Sequence, residues 1–417
     1  MIIIYRILIN FIFLLTPIIL IIRLIKKKES ITRFKEKFCF FSEKKRKGKL
    51  IWFHGASVGE LQSVVPLVQK LEKNNEIKNI LITTNTLSSS IVIKKLNFKK
   101  VIHQFFPIDT NYHSKKFLNY WKPSVAFFID SEIWPNTIIN LEKNKIPIIV
   151  LNGRITKKTF KRWNYFSKFS NFVFNKINLC LSSSKISLKY FRKLGVKNLK
   201  YLGNLKFSQS EKENIIKFNN LNKILKHRKI WCASSTHYNE ELFCGQTHKK
   251  LKKKHKNILT IIIPRHVDRL EEIKSELSKL NLNISTYKSK KKIDDKIDIY
   301  IIDAYGKTKS VYTFCKNIFL GGSIINHGGQ NPLEATRYGC NILHGPNVEN
   351  FKEIYNYLSK LKLSSKINNH SQLSAKLDNL FSKQNNSKII QKKLKKIGEK
   401  ILVNTHREVY KFIKDEI

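Results

Sequence analysis

"IWFHGASVGE", Ile51 to Glu60, decides the fold. It opens as an unbroken apolar run, turns at Gly55 and ends on a carboxylate where a helix should begin, so it reads as a buried strand feeding a glycine-punctuated turn and a helix. Glu60 then has two readings: a first-turn acid that only complements the helix dipole, or a chemically active group. The same unit recurs. "KLIWFHG", "NILITTN", "VIHQFFPID", "VAFFID", "IPIIVLNG" and "LCLSSS" are short β-branched or aromatic runs separated by helical patterns, which predicts an α/β unit with a doubly wound parallel sheet. A second series, "KIWCASS", "NILTIIIPR", "LNISTY", "IYIIDA", "NIFLGGS" and "CNILHGP", predicts another unit of the same kind, with "YLGNLKF" (Tyr201 to Phe207) at the join.

Two units suit 417 residues, which exceed what one hydrophobic core serves. A content of 42% hydrophobic residues with only 9 Pro and 15 Gly excludes a disordered polybasic tail as the source of the charge. That charge is large, 79 Lys and Arg against 30 Asp and Glu, a formal +49. Such a field draws a protein to anionic lipid, phosphorylated substrates or nucleic acid, although an AT-rich coding bias toward Lys, Ile and Asn gives the same composition with no partner. The aromatics sit in strand or core patterns and no nucleic-acid module is recognisable, so nucleic acid is not expected as a partner; nor is an obligate protein partner.

"MIIIYRILINFIFLLTPIILIIRLIKKK" is apolar from Ile2 to Ile25, broken chiefly by Arg6, Asn10 and Arg23, and closes on Lys26, Lys27 and Lys28. It is long enough to cross a bilayer, and its basic C-terminal flank keeps the body cytoplasmic. Arg6 leaves a second reading, a helix lying partly embedded in one leaflet. The expected organisation is an anchor over 1–28, an N-terminal domain over 29–205 and a C-terminal domain over 206–417, the last helix being a candidate to pack back on the N-terminal domain.

None of the six cysteines stands at C-x-x-C spacing and no H-E-x-x-H pair occurs among the twelve histidines, so neither structural zinc nor a catalytic metal is expected. G-x-G-x-x-G and Walker-A patterns are absent, which argues against a dinucleotide oxidoreductase or P-loop kinase; no cofactor is expected. In open α/β sheets ligands lie beyond the carboxyl ends of the strands, and polar clusters fall there repeatedly. In "GGSIINHGGQNPLE" the glycines let backbone amides approach a ligand, Asn331 reads as an N-cap and Pro332 as the first helical residue, so the helix start suits a phosphate. Glu334 either closes a capping box with Asn331 or accepts the hydroxyls of a ribose. Arg265 and His266 follow a strand in "IIIPRHVDR", where they suit phosphate oxygens. Glu60 and Glu132 each follow a strand of the first series, and two acids opposite a nucleotide suit proton removal from a hydroxyl. The dipole favours the ionised form of Glu60, the state a base needs. Asp130 is the weaker candidate.

Taken in order, "SVGE", "SEIWPN", "NGR", "GNLKF", "STH", "PRH" and "GGS…HGGQNPLE…GPNVENF" resemble the family of 3-deoxy-D-manno-octulosonic acid (Kdo) transferases. The resemblance spans nearly the whole chain. It implies a GT-B fold, two Rossmann-like lobes about a cleft, and metal-independent, inverting transfer of Kdo from CMP-Kdo to the lipid A precursor lipid IVA at the inner membrane, on an anionic lipid surface. It implies Glu60 as general base and Glu132 as an auxiliary carboxylate. It assigns Arg265, His266, Gly322, Ser323, Gly329, Gln330, Asn331, Glu334 and Asn350 to the donor side, with Ser235, Thr236 and His237 as a further family string. Ser57, Gly59, Arg154, Lys161 and Arg162 fall on the acceptor side, although Lys157 to Arg162 fit a plain solvated helix face equally well. Gln330 departs from the histidine usual in the family, and an amide hydrogen-bonds phosphate but cannot titrate. Asp130-Ser131 stands where Glu-Thr or Glu-Ser is more typical. A GT-B transferase using a UDP-sugar is the competing enzyme reading.

Overall fold

The structure, a computed structural model, describes residues 1–209, 227–289, 296–383 and 386–414. The chain divides into two compact units, Met1–Ser210 with Ile397–Ile417, and Glu211–Lys396. Each apolar run read from the sequence is a strand, and each unit closes its strands into one seven-stranded sheet in which every recorded pairing is parallel.

In the first unit β1 (Leu50–His54), β2 (Asn79–Thr84), β3 (Val101–Phe105), β4 (Val125–Ile129), β5 (Ile148–Gly153), β6 (Leu179–Ser182) and β7 (Leu199–Tyr201) are ordered 3-2-1-4-5-6-7. Helices cover both faces, which is why β1, β2, β4, β5 and β6 are buried at every residue rather than at alternate ones. Trp52, Trp121, Phe117 and Phe128 pack together in one of its cores. The helices are α1 (Ile2–Ile25), α2 (Val58–Glu72), α3 (Leu87–Lys95), α4 (Asn111–Trp121), α5 (Pro135–Lys143), α6 (Lys157–Tyr165), α7 (Ser167–Phe174) and α8 (Lys185–Leu194).

The second unit repeats the design with β8 (Lys229–Thr236), β9 (Ile258–Pro264), β10 (Ile284–Thr286), β11 (Ile299–Ile301), β12 (Asn317–Leu320), β13 (Asn341–His344) and β14 (Ser364–Lys366), in the order 10-11-9-8-12-13-14. Its described helices are α9 (Glu240–Lys252), α10 (Leu270–Ser278), α11 (Thr308–Phe314), α12 (Leu333–Arg337), α13 (Lys352–Lys360), α14 (His370–Phe381) and α15 (Ser387–Lys414). Residues of α15 from Ile397 onward belong to the first unit, where Glu408 pairs with Lys200 at 2.7 Å and Tyr410 donates to Glu76 at 2.7 Å. The six cysteines are free and buried.

Both sheets reverse their strand order near the middle, and in the second unit β11 also lies out of sequence, between β10 and β9. In the first unit the reversal lies between β1 and β4, in the second between β8 and β12. Backbone loops leaving neighbouring strands diverge at such a point and open a crevice beyond their carboxyl ends, so each unit has one place prepared for a ligand.

Candidate active site

At the β1–β4 switch point the chain delivers three carboxylates. After β1, α2 begins with a capping box: Ser57 Oγ accepts from the Glu60 amide (3.4 Å), while Glu60 Oε2 accepts from the amides of Ser57 (3.3 Å) and Ala56 (2.6 Å). The helix-start reading of Glu60 is therefore realised. It uses one oxygen only, and Oε1 meets no protein donor among the described residues. After β4, Asp130 adopts a left-handed backbone (φ 56°), accepts from Asn152 and pairs with Lys206 at 3.4 Å. Glu132 follows, accepting from Trp134 Nε1 (3.0 Å) with His54 Nε2 at 3.3 Å; the latter pair is close but not aligned as a hydrogen bond, and His54 Nε2 has no hydrogen-bond partner among the described residues.

The helix dipole favours ionised Glu60, and other effects outweigh it. Burial, and after it the negative charges of Glu132 and Asp130, push its carboxyl up to about 7, outweighing the cap. Dipole stabilisation of roughly 0.3 to 1 kcal/mol is too small to offset desolvation beside two anions. The result is an acid poised to exchange a proton near neutral pH. Of the other acceptor-side residues, Ser57 is the cap, Gly59 is exposed with open space beside it, and Arg154 follows β5, its amide bonded to the Asp130 carbonyl at 3.1 Å. Lys161 and Arg162 stand exposed on α6, which buries no residue, and make no hydrogen bond or ion pair among the described residues.

At the β8–β12 switch point a pocket of about 240 Å³ is lined by Ser235, Arg265, Gln330, Asn331 and Glu334, all expected from the sequence, joined by Thr308, Lys309 and Tyr312. Ser235 bulges out of register between Ser234 and Thr236 at φ 57°, which turns it from the sheet to the pocket. Lys309 comes within 3.9 Å of Glu334. Sequence reasoning misses Thr308 and Lys309 although the rule that finds the others applies to them, because they follow β11 in "IYIIDAYGKTK".

Other expected donor residues build the loops around the pocket. His237 is buried, its ring 4.2 Å from His327 and 6.0 Å from His266, with Gln330 Nε2 at 3.4 Å. Burial first, then those histidines and Arg265 and Arg269, lower its pKa to about 4 and keep it neutral. Asn350 donates to the His327 carbonyl at 3.2 Å and its amide to that of Gly328, so it props that loop. The amide of Gly329 donates to the Gly322 carbonyl at 2.7 Å. Thr236 is buried, its carbonyl accepting from the Arg265 amide at 2.9 Å.

Two expectations fail at this pocket. The N-cap is Pro332, not Asn331, whose side chain accepts from the Leu333 amide at 3.1 Å, and α12 has only five residues, too few aligned peptides for a strong anion site. The amides of Gly322 (2.6 Å) and Ser323 (3.0 Å) are not free for a ligand either. They donate to the buried Glu240 carboxylate, which also accepts from Ile324 (2.9 Å) and His237 (3.1 Å). Glu240, at the start of α9, thus ties the β8 loop to the β12 loop. Gly321 is required beside it, since a Cβ there would meet the Ser235 carbonyl at 2.4 Å and Glu240 Oε2 at 2.8 Å. Nothing local in "SSTHYNEE" marks this acid for that role.

Two parallel, doubly wound units, each with its polar groups at a switch point, form the architecture of GT-B glycosyltransferases. A solved UDP-GlcNAc 2-epimerase from Neisseria meningitidis, bound to UDP-GlcNAc, shares that fold with TM-score 0.59 and 11% identity over 88% of this chain and 100% of its own. The family model described as 3-deoxy-D-manno-octulosonic-acid transferase (kdotransferase) matches residues 32–209. A 3-deoxy-D-manno-octulosonic acid transferase of Rickettsia bellii is 32% identical over 90% of this chain and 91% of its own, and one of Haemophilus influenzae 27% identical over 85% and 83%. The chain belongs to the Kdo transferase family, and it is a glycosyltransferase.

Proposed function

We propose that the protein moves Kdo from CMP-Kdo to a lipid A precursor, lipid IVA, with inversion at the anomeric carbon and with Glu60 as general base. The observation that carries this reading is the divided Glu60 carboxylate: Oε2 is held by two amides, Oε1 is unclaimed among the described residues, and its pKa is raised to about 7. A sugar hydroxyl attacking Kdo must lose a proton, and a fixed carboxylate that titrates near the working pH is the group to take it. Glu132, beside it, orients the acceptor or donor. Each unit offers its share of the chemistry at the carboxyl ends of its own strands.

On the donor side the departing CMP leaves with negative charge growing on its phosphate. Arg265 and Lys309 in the second unit's pocket supply fixed positive charge for it, so the reading asks for no metal. Glu334 is suited to ribose hydroxyls. Lys161 and Arg162, exposed and without ion-pair partners among the described residues, suit the phosphates of the acceptor. The protein works at the cytoplasmic face of the inner membrane, held there by α1, a 24-residue apolar helix.

Purified full-length protein incubated with CMP-Kdo and lipid IVA tests this. The expected outcome is CMP release together with a product heavier by one or more Kdo residues, insensitive to EDTA. Transfer from a UDP-sugar in place of CMP-Kdo, or CMP release without a lipid product, would overturn the reading.

A further inference from the structure

Helix α1 turns both its arginines and its tyrosine, among several apolar residues, to the protein and leaves a broad apolar face uncovered. Its covered stripe runs through Tyr5, Ile9, Phe13, Thr16, Leu20 and Arg23, spacings of three and four from the first turn to the last, with Arg6 beside Tyr5. Tyr5 donates to Asp109 Oδ2 at 2.8 Å, and Arg6 donates to Asn136 Oδ1 at 3.0 Å and Asn111 Oδ1 at 3.1 Å. Phe13 packs on His113 with ring centres 4.9 Å apart, and at the far end Arg23 pairs with Glu29 at 2.9 Å. The opposite face is bare: Ile4, Ile7, Phe11, Leu14, Ile18 and Ile25 are 53% to 76% exposed. A soluble amphipathic helix turns its apolar stripe to the core and leaves no such face bare.

A helix that crosses a bilayer leaves its domain at one end. From Tyr5 to Arg23 the axis runs about 27 Å, close to the thickness of a hydrocarbon core of roughly 30 Å. Both ends of that length are bonded to the same unit. Crossing would pull Tyr5 from the buried Asp109 and Arg6 from Asn136 and Asn111.

We propose that α1 is a docked, in-plane helix that lies along the first unit and sinks its bare face into one leaflet of an anionic bilayer. Charge complementarity favours that occupant: exposed Lys26, Lys27 and Lys28 close the helix, on a chain of formal charge +49. The docking has a functional consequence. Asp109, which holds Tyr5, also accepts from the amides of Asn136 (3.0 Å) and Thr137 (2.8 Å) at the start of α5, just after the Glu132-Ile133-Trp134 turn. The depth of α1 therefore sets the height of Glu132 above the headgroups. The inference rests on α1 being the membrane-contacting element and not on the transfer reaction.

The test is depth by spin labelling in the full-length chain. Ile4→Cys, Phe11→Cys, Ile18→Cys and Ile25→Cys each carry a nitroxide, in vesicles of phosphatidylethanolamine and phosphatidylglycerol, with the unsubstituted chain as background because its six thiols are buried. Accessibility to oxygen and to a water-soluble nickel chelate gives each depth. In-plane docking puts all four at one shallow depth, within about a helix radius of each other. A gradient of about 10 Å between successive labels, with Ile4 emerging on the far side, would mean that α1 spans and would overturn the proposal. Spin-spin broadening without oxygen access would give the face to a second copy and overturn it too. If no label met lipid at all, the membrane assignment of α1 itself would fall, while transfer activity stood. Tyr5→Phe combined with Arg6→Leu is expected to tilt the profile toward the gradient, and an unchanged profile would show that these bonds do not hold the helix in plane.

Discussion

The acidic limb of the pH–rate profile tests the Glu60 assignment most directly. With its carboxyl raised to about 7, Glu60 is roughly one-tenth ionised at pH 6 and nine-tenths at pH 8, so turnover should climb about tenfold between these values and then level off. The sign follows from the role: a base works ionised, so activity is lost as pH falls. Burial is the largest cause of the shift and Glu132 the next. Glu132→Gln removes one negative charge and leaves the burial. At an effective dielectric of about 20 one such charge is worth on the order of 1 kcal/mol, and solvent at the half-open site screens it further. The limb should then move down by between about half and one pH unit, whatever the variant does to the plateau. The assay is Kdo transfer to lipid IVA across about pH 5 to 9, wild type beside variant, so that substrate ionisations cancel. A wild-type limb near the ordinary carboxylate value of about 4.3, or identical limbs in the two proteins, would refute the reasoning.

Glu60→Gln should cut turnover by about 10²- to 10⁴-fold while leaving the melting temperature nearly unchanged, because a glutamine at this position still closes a capping box; Glu60→Ala should also lose about 1 kcal/mol of stability in denaturant titrations. Glu240→Gln turns an amide NH₂ toward backbone donors that now point at a carboxylate, and should cost about 3 kcal/mol together with weaker CMP binding by calorimetry. Lys309→Ala should raise the CMP-Kdo Michaelis constant by about 10- to 100-fold, as for the loss of one charge-assisted contact, with the acceptor constant unmoved. Reversing charge at Lys161 and Arg162 should do the opposite, raising the lipid IVA constant alone.

The sheets are legible because buried parallel strands need apolar runs on both faces, and eleven of the fourteen strands show one, with the edge strand β10 read from the weaker "LNISTY". β7 and β14 do not stand out. "LKY" and "SSK" are three-residue edge strands, partly exposed, and pairing on one side only demands no apolar run. The same logic divides the sites. Glu60, Glu132, Ser235 and Arg265 are picked out because a residue just beyond a buried strand must face a crevice at a switch point, and Glu334 because it opens a helix after a glycine-rich loop. Asp109 and Glu240 are not, since their partners are backbone amides of segments far along the chain: Asp109 bonds residues 27 and 28 positions away, Glu240 residues 82 to 84 positions away. No local pattern encodes such a bond. The ionisation of Glu60 escapes the sequence for a related reason: the dipole is local and visible, whereas the charges of Asp130 and Glu132 reach it only through the fold.

Glu240 also bears on how the proposed donor would be held. Three consecutive amides, from Gly322 to Ile324, form the kind of concave donor cluster that usually receives an anion. Here the anion is built in. A phosphate cannot share that cluster without displacing a buried carboxylate, and the helix that follows is five residues long, so backbone donors are a poor source of the charge a departing nucleotide requires. The charge must come from side chains, and Arg265 and Lys309 are the cations that line the pocket. If calorimetry found CMP binding unaltered when both were replaced by alanine, the division of labour would be the reverse, with amides binding and the two cations serving only the fold.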